Sequence, residues 1–553
     1  MVMKTLPIGI EDFEQASSKY YVDKTLIIKD IVDGCLGQSV LVTRPRRFGK
    51  SLTLSMLEHF FSNKKDSKSL FAGKKIASCG EKYLSYMNAY PVIRINMKNI
   101  NQPDYDGMMK MVIGQISSMF RNHAEVLEGD LFELEVRRYN DIANERLGSP
   151  LEYTQAIAFL AELLHKRYQK RAIILIDEYD TPLENAQQYG FYDQAIEFFK
   201  RFYSAGLKAN EHQEFAFVTG VLQISKESIF SELNNLAVFG PIDKTFNEYF
   251  GFLEQEVLDA MQYFGVDGDI SELRAHYAGY GIDGTIYSPW SILNYLLSER
   301  IDSYWVNSGS NKTVNRLIDD IPGSIEMLNE FVNNESKTFF FNRAITYSDI
   351  RNDYETLFSY LVQTGYLAAK PIKNSTRCLL YIPNLEVRFA FETEIIARNL
   401  DKGAFDVAKA LRNAILSGAE ENISYCLKNY VFDQFSYYDK LNEEKDFQMV
   451  INGIMGILFN DYLVRPEVNG RYGRCDIMLS PKSGKGVGAV IEIKKYKGKI
   501  SKARFEKYAT DALTQIKEKG YGEELIRLGA KPILLYAFIF GDHGNYVKVE
   551  ELK

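Results

Sequence analysis

Apolar and polar positions follow two alternating rhythms over the first part of the chain. Short hydrophobic runs are separated by longer stretches in which apolar residues return every three or four positions. SVLVT (39–43), YPVIRINM (90–97), AIILID (172–177) and EFAFVTG (214–220) read as strands. Stretches from about Lys50 to Phe61, and at 106–125, 152–169 and 191–206, read as helices. Strand then helix, repeated, predicts an α/β fold with a parallel sheet covered on both faces. In such sheets ligands bind beyond the carboxyl ends of the strands. Arg44, Asp177 and Thr219 fall at those ends.

The rhythm then changes. In the middle, TLFSYLVQTGYLAA (356–369) reads as a helix ending at Gly365, and GYLAAKPI and RCLLYIPN as a hairpin closed by KNST. A helix followed by a hairpin predicts a helical, winged-helix-like module. It could bind DNA or pack as a lid on the preceding domain, and the absence of an evident base-reading helix favours packing. KTFFFNRAI reads as core. Towards the end come a helix (445–459), three strands (about 462–468, 472–479 and 488–494), a helix (502–518) and a strand, KPILLYAFIF (531–540). At 553 residues the chain is too long for one core. We place boundaries at 1–268, 269–390 and 391–553.

Composition narrows the classes. The net charge of −7 argues against a globally basic nucleic-acid binder but leaves room for a local basic groove. Five scattered cysteines without a CxxC pair, and six histidines without HExxH spacing, argue against zinc and a disulfide framework. The amino terminus lacks a signal-peptide pattern, and no apolar run is long enough to span a bilayer. A cytoplasmic, microbial protein with no membrane partner is expected.

Candidate chemistry begins at LVTRPRRFGKSLTL (41–54). It ends in Gly-Lys-Ser like a phosphate-binding loop, yet Arg44 stands where the first glycine of G-x-x-x-x-G-K-[ST] belongs. A helix starting near Gly49 would aim free N–H groups at an anion. Gly49 lets the backbone approach phosphates, Lys50 would reach them, and the Ser51 hydroxyl would hold Mg2+. Arg44, Arg46 and Arg47 add cationic donors, while Pro45, ahead of Phe48, stiffens the loop. On its own the loop reads equally as a solvated basic turn. RAIILIDEYDTPL (171–183) decides for nucleotide: a buried strand runs into Asp177, placed to hold Mg2+, and Glu178, placed to polarise the attacking water.

These residues resemble the AAA-ATPase-like family of bacterial and archaeal proteins, a P-loop NTPase family. The likeness runs from LPIGIEDFEQASSKYYVDKTLIIKDIV through VTRPRRFGKSLTLSMLEHFF, ILIDEYDTPL and FVTGVLQISKESIFSELNNL to YSPWSILNYL. It implies that R-P-R-R-F-G-K-[ST] is the family's own loop and that ATP is the ligand. It also implies that Thr219 sits where a sensor reads the γ-phosphate, and that Lys226 and Asn235 belong to a motif of unclear role. HYAGY (276–280) departs from the family pattern, since Ala278 lacks the expected acid or amide. Arg201, in a helix near the sheet, is a candidate arginine finger.

The end of the chain carries a second constellation. In GRYGRCDIMLSPKSGKGVGAVIEIKKYKGKI (470–500), Asp476 lies on one strand, and Glu492 and Lys494 share a face of the next. Two carboxylates can hold Mg2+, which polarises a phosphate, and a lysine can steady the developing charge. A half-exposed hairpin with alternating charge is the plain alternative. The αβββαβ order resembles the PD-(D/E)XK nuclease superfamily, in its restriction-endonuclease-like form. The likeness carries roles onto Asp476, Glu492 and Lys494, and further onto Gln515 and Glu444. Lysines 482, 485, 494, 495, 497, 499, 502 and 507, with Arg504, form a basic stripe that could follow a phosphate backbone or merely be solvated. The expectation is an ATP- and Mg2+-using protein acting on nucleic acid, DNA ahead of RNA, compatible with an oligomer. The alternative is a regulatory ATP switch whose last domain only binds nucleic acid or protein.

Overall fold

The computed structural model describes the chain except residues 1–4, 225–234, 309–320, 322–323, 333–335, 344, 346–353, 400–403, 429–442, 460, 471–472, 483, 499–500, 542–543 and 553. Its first sheet joins β1 (Ser39–Thr43), β2 (Val92–Asn96), β3 (Ala172–Asp177), β4 (Gln213–Gly220) and β5 (Leu236–Phe239) in the order β2-β3-β4-β1-β5. All its pairings are parallel. β1 and β3 are buried along their whole length, which is why they read as unbroken apolar runs. Alternate residues serve opposite faces. Leu41, Ile174, Ile176 and Val218 join one core with helices α2 (Tyr105–Arg121), α3 (Ala156–Tyr168) and α5 (Tyr192–Leu207). Val40, Val42, Leu175 and Phe217 face α1 (Lys50–Phe61) on the other side. A short α4 (Thr181–Tyr189) follows β3. β5 escaped the sequence pattern because a four-residue LAVF run is too short to stand out.

In the register, Val42 lies beside Thr219 and Asn96 beside Asp177. The carboxyl ends of β1, β3 and β4 therefore meet at one edge of the sheet. Next come α6 (Pro289–Ser298) and a small antiparallel sheet of β6 (Lys337–Phe340), β7 (Ala368–Pro371) and β8 (Arg377–Tyr381), with α7 (Tyr354–Thr364) before the hairpin. Gly365 ends α7 at φ 91, and a Cβ there would lie 2.8 Å from Pro45. The helix and hairpin are thus seated against the Arg-rich loop, as the packing alternative anticipates.

The long α8 (Leu385–Asn399) crosses the boundary expected at 390/391. It is followed by α9 (Ala404–Ser417), α10 (Glu420–Cys426) and α11 (Glu444–Leu458). The last sheet has the order β13-β12-β11-β10-β9, from β9 (Tyr462–Gly470), β10 (Gly473–Pro481), β11 (Gly488–Lys495), β12 (Ile533–Gly541) and β13 (Gly544–Glu551). β11 and β12 are parallel and the other pairs antiparallel. α11 residues Phe447, Val450 and Ile451 cover one face with Leu411 and Ile415 of α9. α12 (Lys502–Glu518) and α13 (Gly522–Arg527) cover the other. β13 and α13 extend the expected αβββαβ order. No helix among the described residues is long and apolar enough to cross a membrane.

α8 packs closely on α11. At Gly456 of α11 a Cβ would stand 2.5 Å from Thr393 Oγ1 and 2.9 Å from Phe389. Glu392 is buried in this contact, where burial pushes its carboxyl up to about 8 against the pull of Arg388 and Asn452. A carboxyl raised in the fold stabilises it fully below its ordinary value of 4.5, and that contribution is lost as pH rises through the folded value. Glu392→Gln mimics the neutral acid. It is expected to melt with wild type near pH 5 and several degrees above it near pH 9, read by scanning calorimetry. An equal gap at both ends would mean that the carboxyl ionises normally.

Candidate functional site

Two constellations emerge, one on each large sheet. At the edge of the first, the chain leaves β1 and reverses with Arg47 at φ 68 and Gly49 at φ 84, both left-handed. Gly49 caps α1 without a side chain, so the first N–H groups of the helix stay open to an anion. Lys50 is buried, its Nζ 3.0 Å from the Arg44 carbonyl and 2.9 Å from that of Pro45. Burial pulls its pKa down, opposed by Glu178, Asp180 and Asp177. Asp177 is fully buried and accepts a 2.7 Å hydrogen bond from Thr219 Oγ1. The Thr219 hydroxyl therefore orients Asp177. Glu178 holds an unusual φ of 53 and accepts from Thr181 Oγ1 at 3.2 Å. Burial raises its pKa, with Lys50 opposing.

A cavity of about 590 Å³ opens here, within the range of small-molecule sites. Loop residues Arg46–Thr53 border it together with Glu178, Tyr20, Lys98, Phe252 and Trp290. Arg46 pairs with Glu184 at 2.8 Å, and the Arg47 guanidinium lies 4.3 Å from the centre of the Trp290 ring. The structure does not bring Arg44 to this cavity. Its guanidinium is buried, donates to the carbonyls of Thr43 and Phe239, and lies against Phe250. Pro45 faces the middle module, and the Phe48 ring is buried edge-on against Tyr280 at 5.0 Å. The Ser51 hydroxyl and the carboxylates of Asp177 and Glu178 are hard oxygen donors of the kind Mg2+ takes.

Other expected residues lie elsewhere. Asn235 stands at the start of β5, the opposite end of the sheet from the loop. Arg201 pairs with Glu197 on its own helix. Ala278 offers its carbonyl to Asn384. Lys226 lies outside the described residues. Lys98, Trp290 and Asp180, at this first site, escaped the sequence reading. Lys98, just past β2, and Trp290, at the start of α6, both border the cavity. Asp180 accepts from the Val221 and Leu222 N–H groups, tying the exits of β3 and β4, and burial pushes it up to about 6. The second aspartate of DEYD was the available signal for it.

On the last sheet, Asp476, Glu492, Lys494, Gln515 and Glu444 do come together. Glu492 Oε1 accepts from Lys494 Nζ and from Gln515 Nε2, each at 2.9 Å. Its Oε2 is buried with no hydrogen-bond partner. Asp476 accepts from the Ile493 N–H at 2.6 Å and from Gln448 Nε2 at 2.7 Å. Gln448 was not anticipated. Glu444 lies 3.6 Å from Lys494 Nζ and accepts from the Lys495 N–H. Burial first, then Glu492, raises the Asp476 carboxyl, and burial raises Glu492 in turn. Two like charges, Glu492 buried and Asp476 half-buried, with one orphaned oxygen suit a cation. Among the described residues no group of three or more His, Cys, Asp or Glu is set for a metal. An ion here would rest on two carboxylates plus water and phosphate, as Mg2+ accepts.

The basic stripe divides. Lys482 and Lys485 sit in the turn between β10 and β11, the far end of that hairpin from Asp476 and Lys494. Lys497, Lys502, Arg504 and Lys507 are exposed at the near end, and Lys499 lies outside the described residues.

Comparisons with known proteins agree with this geometry. Residues 7–230 match the family model described as predicted AAA-ATPase, and residues 442–550 match that of the PD-(D/E)XK nuclease superfamily. The chain is similar to an uncharacterized protein in the vnfD 5' region of Azotobacter chroococcum mcd 1. The two are 27% identical over 417 residues, which span 73% of this chain and 72% of that protein. The chain thus joins a domain of the AAA-ATPase-like family to a domain of the PD-(D/E)XK nuclease superfamily.

Proposed function

We propose that the protein binds and hydrolyses ATP at the first site and cleaves nucleic acid, preferentially DNA, at the second, with nucleotide gating cleavage. Lys50 and the open N–H groups of α1 bind the phosphates, with Arg46 and Arg47 beside them. Thr219 fixes Asp177, and Glu178 orients the attacking water and draws on its proton. At the second site Mg2+, held by Asp476 and Glu492, would supply charge neutralisation at the scissile phosphate and a water of lowered pKa. Lys494 supplies positive charge beside the leaving oxygen, and Gln515 and Gln448 keep the two carboxylates in place.

The observation that carries this reading is the Asp476–Glu492–Lys494 cluster, in which Glu492 is buried and its Oε2 has no partner. The test is cleavage of plasmid and single-stranded DNA with Mg2+ or Mn2+, with and without ATP. Cleavage that responds to ATP supports the reading. Full ATP turnover with no cleavage under any condition would instead make the protein a nucleotide switch with a binding module. Glu178→Gln is expected to retain ATP binding while turnover falls by about a hundredfold or more; a steady-state phosphate-release assay reads this directly.

A further inference from the structure

The chain has two tryptophans, and both touch the Arg-rich loop. Trp290 lies under the Arg47 guanidinium. Trp305 donates its indole N–H to the Arg46 carbonyl at 2.9 Å. One buried carboxylate anchors both. Glu386, at the start of α8, accepts from the Trp305 and Val306 N–H groups through Oε1, and from the hydroxyl of Ser291, next to Trp290, through Oε2. The same helix continues to the tight contact at Gly456 of α11. α11 in turn carries Gln448, bonded to Asp476, and Glu444, beside Lys494. Two adjacent loop residues and the metal-type carboxylates are thus joined by one unbroken series of packed and hydrogen-bonded groups.

We propose that Glu386 is a positioning residue that makes α8 the lever between the two sites, so that ATP at the loop changes metal affinity at Asp476 and Glu492. The inference rests on the proposed function. Phosphates entering the cavity draw Arg46, Arg47 and Lys50 towards them. The two tryptophans either follow or lose their contacts, and both are pinned to the head of α8. A shift there is delivered along α8 to the face of α11 that holds Gln448 and Glu444.

Metal occupancy is read locally on the full chain with Fe2+, ascorbate and peroxide, which cut the backbone beside a bound ion. Fragments ending near residues 476–492 report the second site. Those ending near 51 and 177 report the first. In wild type, saturating ATP is expected to shift the half-saturating Fe2+ for the 476–492 fragments by about fivefold or more. In Glu386→Ala the shift is expected to vanish while ATP still quenches tryptophan emission. Gly456→Ala, which pushes α8 and α11 apart far from the nucleotide, is expected to lose the shift with ATP affinity unchanged. It carries the test if Glu386→Ala does not fold. A wild-type shift surviving in either folded variant, or no shift in wild type with both ligands bound, overturns the inference. Absence of ATP quenching or of 476–492 fragments in wild type would instead remove the functional reading beneath it.

Discussion

Lys50→Ala is expected to abolish measurable ATP binding, with affinity falling by roughly a hundredfold or more, about 3 kcal/mol for two charge-assisted contacts. The Lys50 ammonium already lies inside the loop, bonded to the carbonyls of Arg44 and Pro45. Phosphate oxygens would replace those carbonyls with little side-chain ordering left to lose. Burial strengthens the effect, because a phosphate brought here without the lysine is a desolvated anion facing Glu178, Asp177 and Asp180. Isothermal titration with ATP and Mg2+ measures the loss. Unchanged affinity would place the nucleotide outside this cavity.

Lys494→Ala is expected to remove DNA cleavage by roughly a hundred- to a thousandfold while leaving ATP turnover within twofold or so of wild type. Lys494 is the cation among three carboxylates, 2.9 Å from Glu492 and 3.6 Å from Glu444. Its own pKa stays high because Glu492, Asp476 and Glu444 outweigh burial, so it is charged at neutral pH. Without it, Glu492 and Asp476 face each other across a desolvated gap and hold protons more tightly, which weakens any metal between them. Plasmid nicking across a Mg2+ titration separates the two effects. A defect repaired by excess Mg2+ points to lost metal, and one that persists points to lost charge at the phosphate. Wild-type cleavage in this variant would show that the cluster is structural.

Much of this was legible in the chain because burial on both faces leaves a continuous apolar signature. β1, β3 and β4 read directly, and their ends located Lys50, Asp177, Glu178 and Thr219 before any coordinates. The αβββαβ order did the same for Asp476, Glu492 and Lys494. What escaped depends on contacts between distant segments. Arg44 reads like a phosphate donor beside Arg46 and Arg47, but only the fold shows Phe239 and Phe250 claiming its guanidinium. Gln448 and Lys98 carry no local pattern and acquire meaning only when a partner 28 or more residues away arrives beside them. The lysine stripe divides for a simpler reason: a hairpin turn sends its two parts to opposite ends of the same pair of strands.

The course of α8 also bears on descent. The superfamily match begins at residue 442, yet α11 spends one side on α8, and Tyr536 of β12 bonds to the Ile415 carbonyl of α9. A gene segment starting at 442 would encode a sheet with a bare apolar flank. A heritable, exchangeable unit must begin at or before Leu385, and there it already includes the carboxylate that grips the tryptophans. Recombination between relatives could therefore swap one domain for another only by carrying the joint along with it.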